Sequence, residues 1–429
     1  MAKTDKKSVS IKEESPEPTS SVSVTPVPET KKSFPKSAPT FRIITGSYEH
    51  NLLCVSVTLY PEAPVFTPVF HFTPHTQSIR CLAESKRYLT SGSNDEHIRI
   101  YDLQKRKELG TLLHHDGNIT KLEFFDKWLL SASDDGKICI WRTKDWEVLG
   151  ELQGHKAGGI NDLSIHPSGR IAISAGNDHT LRLWNLMTAR KASVLKLRKD
   201  VALRCRWSHD GTSFVLGFDR KVVVYSAATS EPIGRVLKLK SPLQHMEMLT
   251  LKGVEYVVTS HSDGSIVFYP LDQIAEETKS EDNEQELTTA TLPDSAFKVV
   301  GHAVRVKNFS FYHYEPTDVI YMSSVSSDGN LVIWDLNTHD QIAVYNTGDR
   351  LNCCVMVSED VEHYEEMKKR ARADDLSEAE ETDFSEAESE VEIKQEELTA
   401  NQKKKKNKKL SKARKAAMNK KPKITVEFS

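Results

Sequence analysis

Short stretches of alternating apolar and polar residues recur along the middle of the chain, and each is joined to the next by a tight turn. In residues 131–141, a short apolar strand leads into an Asp-Gly turn, and a second alternating strand ends on a large aromatic residue, Trp141. Trp141 lies six positions after Asp135, and this interval is repeated elsewhere. The other copies run from Asp95 to Tyr101, Asp178 to Trp184, Asp219 to Tyr225, Asp263 to Tyr269 and Asp328 to Trp334. The pattern therefore predicts six copies of one β-hairpin.

A weaker seventh copy precedes these six. Residues 44–49 align with residues 90–95, which puts Glu49 in the acidic position and Val55 in the aromatic one. The aromatic residues of the other copies are 40, 43, 41, 44 and 65 positions apart. A period of about 40 to 45 residues with four strands in each unit is typical of a β-propeller built from WD40 repeats. The sequence therefore predicts an all-β, seven-bladed WD40 propeller.

The two ends of the repeat region each lack part of a blade. Three strands expected within residues 42–72 have no inner strand before them, and the last strand, 351–357, has no partners after it. Joining these segments would complete a seventh blade and leave no open edge in the ring. We therefore expect the propeller to span residues 41–357, with 351–357 closing the blade that 42–72 begins.

Polar segments flank or interrupt this region. Residues 1–40 are rich in Pro, Ser, Thr, Lys and Glu, and we expect them to be disordered. Residues 272–296 lengthen the fifth repeat and are interpreted as an acidic loop between two strands, for which disorder is favoured over a function. Residues 358–400 contain 17 acidic and 5 basic residues, with a short helix expected at their start, and residues 401–429 contain 12 basic and 1 acidic residue. Both C-terminal segments are expected to stay solvated and disordered.

The composition excludes several classes of protein. No apolar run reaches the roughly 18 residues of a membrane span, and the N-terminus lacks an apolar signal core, so we expect a soluble, intracellular protein without a membrane partner. The 6 cysteines form no CxxC pair, which argues against a zinc site and favours buried thiols in a reducing compartment. Phosphate-binding and hydrolase motifs are absent, so we expect no cofactor and no small-molecule substrate.

A histidine begins four of the repeats, 20 to 26 positions before the turn aspartate. If this histidine bonds the aspartate, and a serine or threonine lies between it and the aromatic residue, the set ties three strands of one blade together. The same residue types could form catalytic triads, but one reaction centre in each blade would be unusual, so we interpret the sets as structural locks and expect no enzyme activity. The predicted lock residues are His75, Asp95, His115, Asp135, Trp141, His155, Asp178, Trp184, His302, Asp328 and Trp334.

The C-terminal segments carry two further candidate sites. A lysine cluster is interpreted as a nuclear or nucleolar address, as an RNA contact, or as a solvated solubility segment. Its members are Lys403, Lys404, Lys405, Lys406, Lys408 and Lys409. Ser377, Ser385 and Ser389 are each followed three positions later by glutamate, so they resemble sites of acidophilic kinases. Phosphates there would deepen the negative field beside the lysines.

Four motifs carry a family resemblance: residues 44–49, 91–102, 163–169 and 181–185. In order and spacing they resemble the WD-repeat family that includes the p21-activated-kinase-interacting protein of animals and its fungal Mak-type counterpart. The resemblance covers about residues 41–357, and members also carry a lysine-rich C-terminal segment. Departures from the Trp-Asp ending at Val55, Tyr225-Ser226 and Tyr269-Pro270 weaken the lock in those blades.

The resemblance implies a function without catalytic residues. Family members are nucleolar factors needed for maturation of the large (60S) ribosomal subunit, with a second role as negative regulators of p21-activated kinases. We therefore predict a nuclear and nucleolar scaffold that docks ribosome-assembly proteins and pre-60S particles, with non-specific rRNA contact through the basic segment. The alternative is a signalling adaptor that binds and restrains a p21-activated kinase.

Overall fold

In the computed structural model, the described residues of the chain are 38–155, 158–198, 200–275, 287–288 and 296–361. The predictions for residues 1–37, for most of the helix expected after residue 360 and for the C-terminal segments beyond 361 lie outside them. So do the serines and lysines proposed as candidate sites there, Ser377, Ser385, Ser389, Lys403, Lys404, Lys405, Lys406, Lys408 and Lys409.

Seven antiparallel sheets of four strands make up the described part of the chain, and one of them gains a fifth strand. Six sheets follow one another along the chain, and we number them blade one to blade six from His75 onward. The remaining sheet combines the last described strand with the first three, and we call it the seam blade. This arrangement confirms the seven-bladed propeller predicted from the repeats.

The strands of every blade are named a to d from the ring axis outward, and their bounds are given from blade one to blade six and then the seam blade. The a strands are Ile79–Glu84, Ile119–Phe125, Ile160–Ile165, Arg204–Trp207, Leu243–Leu251, Val306–Tyr314 and Leu351–Ser358. The b strands are Tyr88–Ser93, Trp128–Ser133, Ile171–Gly176, Ser213–Gly217, Val254–His261, Val319–Ser326 and Thr40–Ser47. The c strands are Ile98–Asp102, Lys137–Arg142, Thr180–Asn185, Lys221–Ser226, Ser265–Pro270, Asn330–Asp335 and Leu52–Leu59. The d strands are Lys107–Leu112, Val148–Gln153, Arg190–Lys196, Pro232–Lys238, Phe297–Val300, Asp340–Asn346 and Pro64–Phe72.

The seven a strands contact one another in a closed cycle. Each lies beside the a strand of the next blade, and Leu351–Ser358 lies between those of blade six and blade one. The a strands therefore line the axis of the ring. We call the face at which they begin the top face and the face at which they end the bottom face; the turns between strands b and c are at the top.

Each pair of neighbouring blades shares one apolar cluster, which gives seven clusters around the ring. Successive residues of a strand point to opposite faces of the sheet, and both faces of these sheets are covered by neighbouring blades. In blade two, Leu129 packs toward blade one and Leu130 packs toward blade three. Strands buried on both faces explain why apolar residues run on without a break at Ile138–Trp141.

The seam blade joins the two ends of the repeat region. Phe41 pairs with Ser358 and Gly46 pairs with Cys353 in an antiparallel ladder. Glycine is required at position 46 because a Cβ atom there would lie 2.7 Å from Cγ2 of Ile79 and 2.8 Å from Sγ of Cys353. Glu359, just beyond the ladder, accepts hydrogen bonds from Nε and Nη2 of Arg42 at 3.0 and 2.7 Å and from Oγ of Ser56 at 2.9 Å. A backbone ladder and an ionic clamp therefore hold the seam.

The acidic segment of blade five contains more regular structure than a plain loop. It separates strands c and d of that blade, and it begins with the short helix Leu271–Ala275, whose Leu271 and Ile274 are buried. Leu287–Thr288 forms a short strand that pairs in parallel with Leu237 and Lys238 at the outer edge of blade four. The insertion therefore joins two blades, which its low apolar content did not indicate.

The b–c turns keep one backbone shape although their sequences differ. Gly136, after Asp135, has a φ of 82°, in the left-handed region that glycine tolerates. Blades one and three have no glycine there, and Glu96 and His179 adopt φ values of 69° and 57°. Side chains at positive φ carry a conformational cost, so contacts around these turns must hold them.

Candidate functional site

Blade two shows the full set of contacts expected of a lock. Nδ1 of His115 lies 3.0 Å from Oδ2 of Asp135, and Nε2 lies 2.8 Å from Oγ of Ser131. Nε1 of Trp141 donates to the same Ser131 oxygen at 2.8 Å. Asp135 also accepts the backbone N–H groups of Lys137 and Asp116, at 2.7 and 3.1 Å. One polar chain therefore ties the segment before strand a to strands b and c.

The donor and acceptor roles in this hydrogen-bond network follow from the chemistry of its members. A carboxylate only accepts hydrogen bonds, so Nδ1 of His115 is protonated and donates a hydrogen bond to Asp135. Nε2 is then unprotonated and accepts a hydrogen bond from Ser131. Ser131 in turn accepts from the indole of Trp141. Burial opposes the charge on Asp135, but the bonds from His115 and Lys137 outweigh it and hold the pKa of its carboxyl below its usual value.

The structure brings the predicted lock residues of three further blades together. In blade three, His155 bonds Asp178 at 3.1 Å and Ser174 at 2.7 Å, and Trp184 donates to Ser174 at 2.8 Å. Burial lowers the pKa of His155 despite the hydrogen bond from its ring to Asp178, which keeps the imidazole neutral near pH 7.

Blades one and six depart slightly from this geometry. His75 bonds Asp95 at 3.0 Å and Ser91 at 2.7 Å, but the aromatic partner is the hydroxyl of Tyr101, 3.5 Å from Ser91. In blade six, Ser324 lies 2.8 Å from both Nε2 of His302 and Nε1 of Trp334. There Nδ1 of His302 is 3.6 Å from Asp328, beyond hydrogen-bond reach.

Residues outside the predicted lock set take over in two other blades. In blade five, His261 of strand b bonds Thr259 at 3.0 Å and the carbonyl of Ser241 at 3.3 Å. In the seam blade, Asp349 accepts from Asn51 at 2.6 Å, and Glu49 accepts the backbone N–H of Arg350 at 2.9 Å. A histidine inside strand b was a visible signal, whereas Asp349 lies in a shorter loop that the repeat spacing did not align.

The described residues of blade four form no such lock, and an ionic cluster at the axis joins this blade to its neighbours. Arg206 of its a strand donates from Nη1 to Asp162 of blade three at 2.6 Å. Its Nε and Nη2 donate to both carboxylate oxygens of Glu247 in blade five, each at 2.7 Å. Burial opposes the charge on Glu247, but Arg206 outweighs it and holds the pKa of that carboxyl well below its usual value.

Another carboxylate, that of Glu123, lies beside this cluster, and fewer polar contacts offset its burial. Oε1 of Glu123, on the a strand of blade two, accepts the backbone N–H of Ile165 at 3.0 Å, but Oε2 is buried and has no hydrogen-bond partner among the described residues. Burial raises the pKa of Glu123 to about 7, although Lys121 and Arg206 oppose the shift. Glu123 is therefore an axial group whose pKa lies near neutral pH.

The lock serines are not placed to react with a substrate. Ser91, Ser131, Ser174 and Ser324 are each 0% exposed, between strands of their own blade. In three blades the serine oxygen also accepts the indole N–H of a tryptophan. A nucleophile needs an accessible oxygen beside a space for the reacting carbon, and these oxygens have neither. The geometry of these sets is that of structural hydrogen-bond networks.

In the described part of the chain, no group of three His, Cys, Asp or Glu side chains could hold a metal ion. All six cysteines are buried and reduced. None of the described helices has the length and apolar character needed to cross a membrane. One apolar cleft of about 350 Å³ lies between the seam blade and blade one, with Phe70, Phe72, Tyr101 and Leu103 in its wall.

Comparisons with known proteins agree with the architecture. The family model for the WD domain, G-beta repeat, matches residues 66–102, 106–142 and 146–185. Each match begins in or just before the d strand of one blade and ends with the c strand of the next, so the sequence repeat spans two blades. The chain is 44% identical over 417 residues to Protein MAK11 of Saccharomyces cerevisiae, which covers 90% of this chain and 98% of the relative.

Animal relatives are more distant. The chain is 33% identical to the p21-activated protein kinase-interacting protein 1-like of Gallus gallus, over 79% of this chain and 86% of the relative. It is 30% identical to p21-activated protein kinase-interacting protein 1 of Homo sapiens, over 72% of this chain and 76% of the relative. Identity at this level over most of both chains establishes common ancestry. The chain therefore belongs to the WD40-repeat family that contains Protein MAK11 and the p21-activated protein kinase-interacting proteins.

Proposed function

We propose that this protein is a non-catalytic scaffold in assembly of the large (60S) ribosomal subunit, which docks assembly proteins and pre-60S particles in the nucleolus. The observation that carries the proposal is the similarity to Protein MAK11, which extends over 98% of that relative. The motifs shared with the Mak-type family imply the same role. A rigid ring with two loop-bearing faces suits simultaneous contact with several macromolecules.

The arrangement of the described residues supports a binding role without chemistry. The candidate triads have buried serine oxygens, and the axial charges of Arg206, Asp162 and Glu247 are paired with one another. These groups rigidify the ring and leave the loops at its faces for partners. The lysine cluster 403–409 would supply the nuclear address and a salt-dependent attraction to rRNA.

Affinity purification of the full chain from cells, followed by identification of the bound proteins and RNA, tests the proposal. We expect large-subunit assembly proteins and precursor rRNA to be enriched over a purification of an unrelated propeller. Recovery of the chain with neither class would contradict it. Deleting residues 401–429 should reduce nuclear accumulation, and unchanged accumulation would remove the address from the proposal.

A second candidate function is binding and inhibition of a p21-activated protein kinase. It is favoured by the printed names of the animal relatives and by a fission yeast relative, Shk1 kinase-binding protein 15, which is 29% identical over 36% of this chain. Incubating purified chain with a purified p21-activated kinase at moderate salt tests it. Retention of the kinase together with reduced phosphorylation of a model substrate supports the adaptor function, and absence of both excludes it.

A further inference from the structure

A β-bulge recurs at the second residue of the a strands, at the top of the axis. In six blades the ladder to strand b skips one residue at this point. A bulge redirects the side chain of the extra residue, and bulges are frequent beside binding sites. Arg204 of blade four holds the same register position, one residue before the pair Cys205 and Leu216. The seven bulge-position residues are Arg80, Thr120, Asn161, Arg204, Gln244, Lys307 and Asn352.

These seven residues form a polar rim without any acid. Three are cations and four are neutral hydrogen-bonding side chains. Nδ2 of Asn161 donates to the carbonyl of Ala202, and Nδ2 of Asn352 donates to the carbonyl of Ile79, each at 3.0 Å. Both acceptors lie at or just before the start of the next blade's a strand. These two asparagine side chains therefore extend sideways along the rim of the axial opening.

On one side the rim opens into a cavity of about 840 Å³ between blade six and the seam blade. Among the described residues, Arg305, Lys307 and Arg350 are its charged lining residues, and no acid contributes to the lining. These three cations form no ion pair with the described residues, whereas Arg80 across the opening is 3.4 Å from Asp134. The cavity is therefore a concave surface whose charged lining is cationic, although the carboxylates of Glu49 and Asp349 lie close behind Arg350.

The cations at the top of the axis lie close enough to lower the pKa of Lys307. Burial lowers the pKa of Lys307, and the charges of Arg305, Arg204 and Arg80 lower it further. Nε of Arg204 is buried and has no hydrogen-bond partner among the described residues. Like charges held together at the mouth of a low-dielectric opening focus a positive potential, which a bound anion would relieve.

An exposed aromatic ring indicates which anion fits. Tyr48 lines the same cavity and is 57% exposed, and its backbone N–H bonds the carbonyl of Arg350 at 2.7 Å. A cationic groove with an exposed aromatic ring at its edge is the arrangement that binds single-stranded nucleic acid, because phosphates meet the cations while a base stacks on the ring. An acidic peptide would use the cations, but only an aromatic or apolar side chain at the right spacing would also contact the ring, whereas every nucleotide brings a base. The acidic segment of this chain begins after Ser358, at the bottom face and opposite the cavity.

We propose that the top mouth of the ring binds single-stranded RNA, with Arg305, Lys307 and Arg350 on consecutive phosphates and Tyr48 against a base. This inference rests on the proposed function in ribosome assembly and goes beyond it, because it assigns an RNA site to the propeller in addition to the lysine cluster 403–409. Contacts to phosphates and to one base face would give affinity with little sequence specificity.

Binding of fluorescein-labelled oligouridine of about twelve nucleotides to the full chain tests the site. In the mouth variant, Arg305→Gln, Lys307→Gln and Arg350→Gln are combined. We expect its Kd to rise about tenfold and the slope of log K against log salt to fall by about two, since each lost phosphate contact on a single strand contributes about 0.7. Tyr48→Ala should weaken binding severalfold and leave the slope unchanged.

A control variant removes the same charge from the bottom face. Lys107→Gln, Lys127→Gln and Lys144→Gln change three exposed lysines in a–b and c–d turns or beside them and leave the lysine cluster in place. Its Kd and slope should match those of the wild type. Equal binding by the mouth variant and this control overturns the proposal, and so does mouth-dependent binding of a labelled peptide of residues 374–397 in the absence of RNA binding.

Two further measurements keep the inference separate from folding and from the proposed function. Ultraviolet cross-linking of the wild-type chain to oligouridine should label peptides containing Tyr48 or Arg305, and labelling confined to residues 401–429 overturns the site even if the mouth variant does not fold. If a folded mouth variant with weakened RNA binding still sediments with pre-60S particles, the scaffold function stands on protein contacts. If neither variant nor wild type sediments with them, the proposed function fails whatever the RNA measurement gives.

Discussion

Arg206 donates two hydrogen bonds of 2.7 Å to the carboxylate of Glu247, and this pair joins the inner strands of blades four and five. The third contact of the guanidinium, to Asp162, extends the link to blade three. The described residues of blade four do not form the histidine-aspartate lock of blade three, and the polar contacts of Arg206 at the axis join blade four to its neighbours instead.

Replacing Arg206 with methionine should therefore destabilise the ring strongly. The substitution leaves the buried Asp162 without its hydrogen-bonded cation and leaves Glu247 with Lys121, 3.7 Å away, as its remaining cation. Breaking a buried pair in this way costs about 3 to 5 kcal/mol in the free energy of unfolding. Arg220→Met is the matched control, because the Arg220 side chain is 63% exposed and its pair with Asp219 is 3.7 Å long. Urea unfolding followed by tryptophan fluorescence measures both. Equal midpoints for the two variants would show that the axial pair does not hold the blades.

Substituting the turn aspartate of a complete lock should lower stability by a smaller amount. Asp135→Ala removes the acceptor of His115 and of two backbone N–H groups, and unsatisfied buried donors cost about 1 to 3 kcal/mol. Asp219→Ala changes the equivalent turn of blade four, where the side chain is 68% exposed and meets no histidine, and should leave the melting temperature within about one degree. Similar melting temperatures for the two variants would contradict the lock.

The stability of the ring should depend on pH through Glu123. Its folded pKa of about 7 lies above the value of an exposed glutamate, so the folded state holds a proton that the unfolded state releases. The resulting stabilisation is complete below about pH 4.5 and is lost as pH rises through 7. Glu123→Gln keeps an oxygen for the N–H of Ile165 and should remove this part of the slope, which makes the variant relatively more stable at pH 8 than at pH 5. Parallel curves of melting temperature against pH for variant and wild type would exclude this assignment.

Replacing Gly176 of blade three with serine, the residue found at this position in three other blades, should destabilise the protein. Ser93, Ser133 and Ser326 hold the end of strand b in blades one, two and six, but blade three has Gly176. A Cβ atom at position 176 would overlap the ring of His155 and lie 2.7 Å from Oδ1 of Asp178. We expect Gly176→Ser to lower the free energy of unfolding by about 1 to 3 kcal/mol by displacing the lock histidine. An unchanged urea midpoint would contradict this prediction, because it would show that the loop before strand a shifts to accommodate the serine side chain.

Much of the fold could be predicted because the repeat places the same chemistry at the same interval. The Asp-to-aromatic spacing located the b–c hairpins, and the position of each histidine located the locks of blades one, two, three and six. The histidine could be recognised because it must lie near the b–c turn to bond the aspartate, which fixes its distance from the aspartate in the sequence. Blade-to-blade pairs such as Arg206 with Glu247 were not predictable, because their partners lie 41 residues apart and no local pattern relates them.

Features that depart from the repeat were likewise not predictable from local sequence. The short strand Leu287–Thr288 pairs with another blade through its backbone, which its composition does not reveal. The polar rim depends on one extra residue in the a strands of six blades, and the bulge that exposes this residue is a property of the ladder rather than of the residue. Single cations at Arg80, Arg204 and Lys307, spread over 228 positions of sequence, become one surface only when the ring closes.

Sedimentation of a cell extract through a sucrose gradient tests the central claim most directly. The account predicts that the full chain moves with large-subunit precursors and shifts to the top of the gradient after ribonuclease treatment dismantles them. Sedimentation as free protein before any treatment, in cells that are actively making ribosomes, would contradict it.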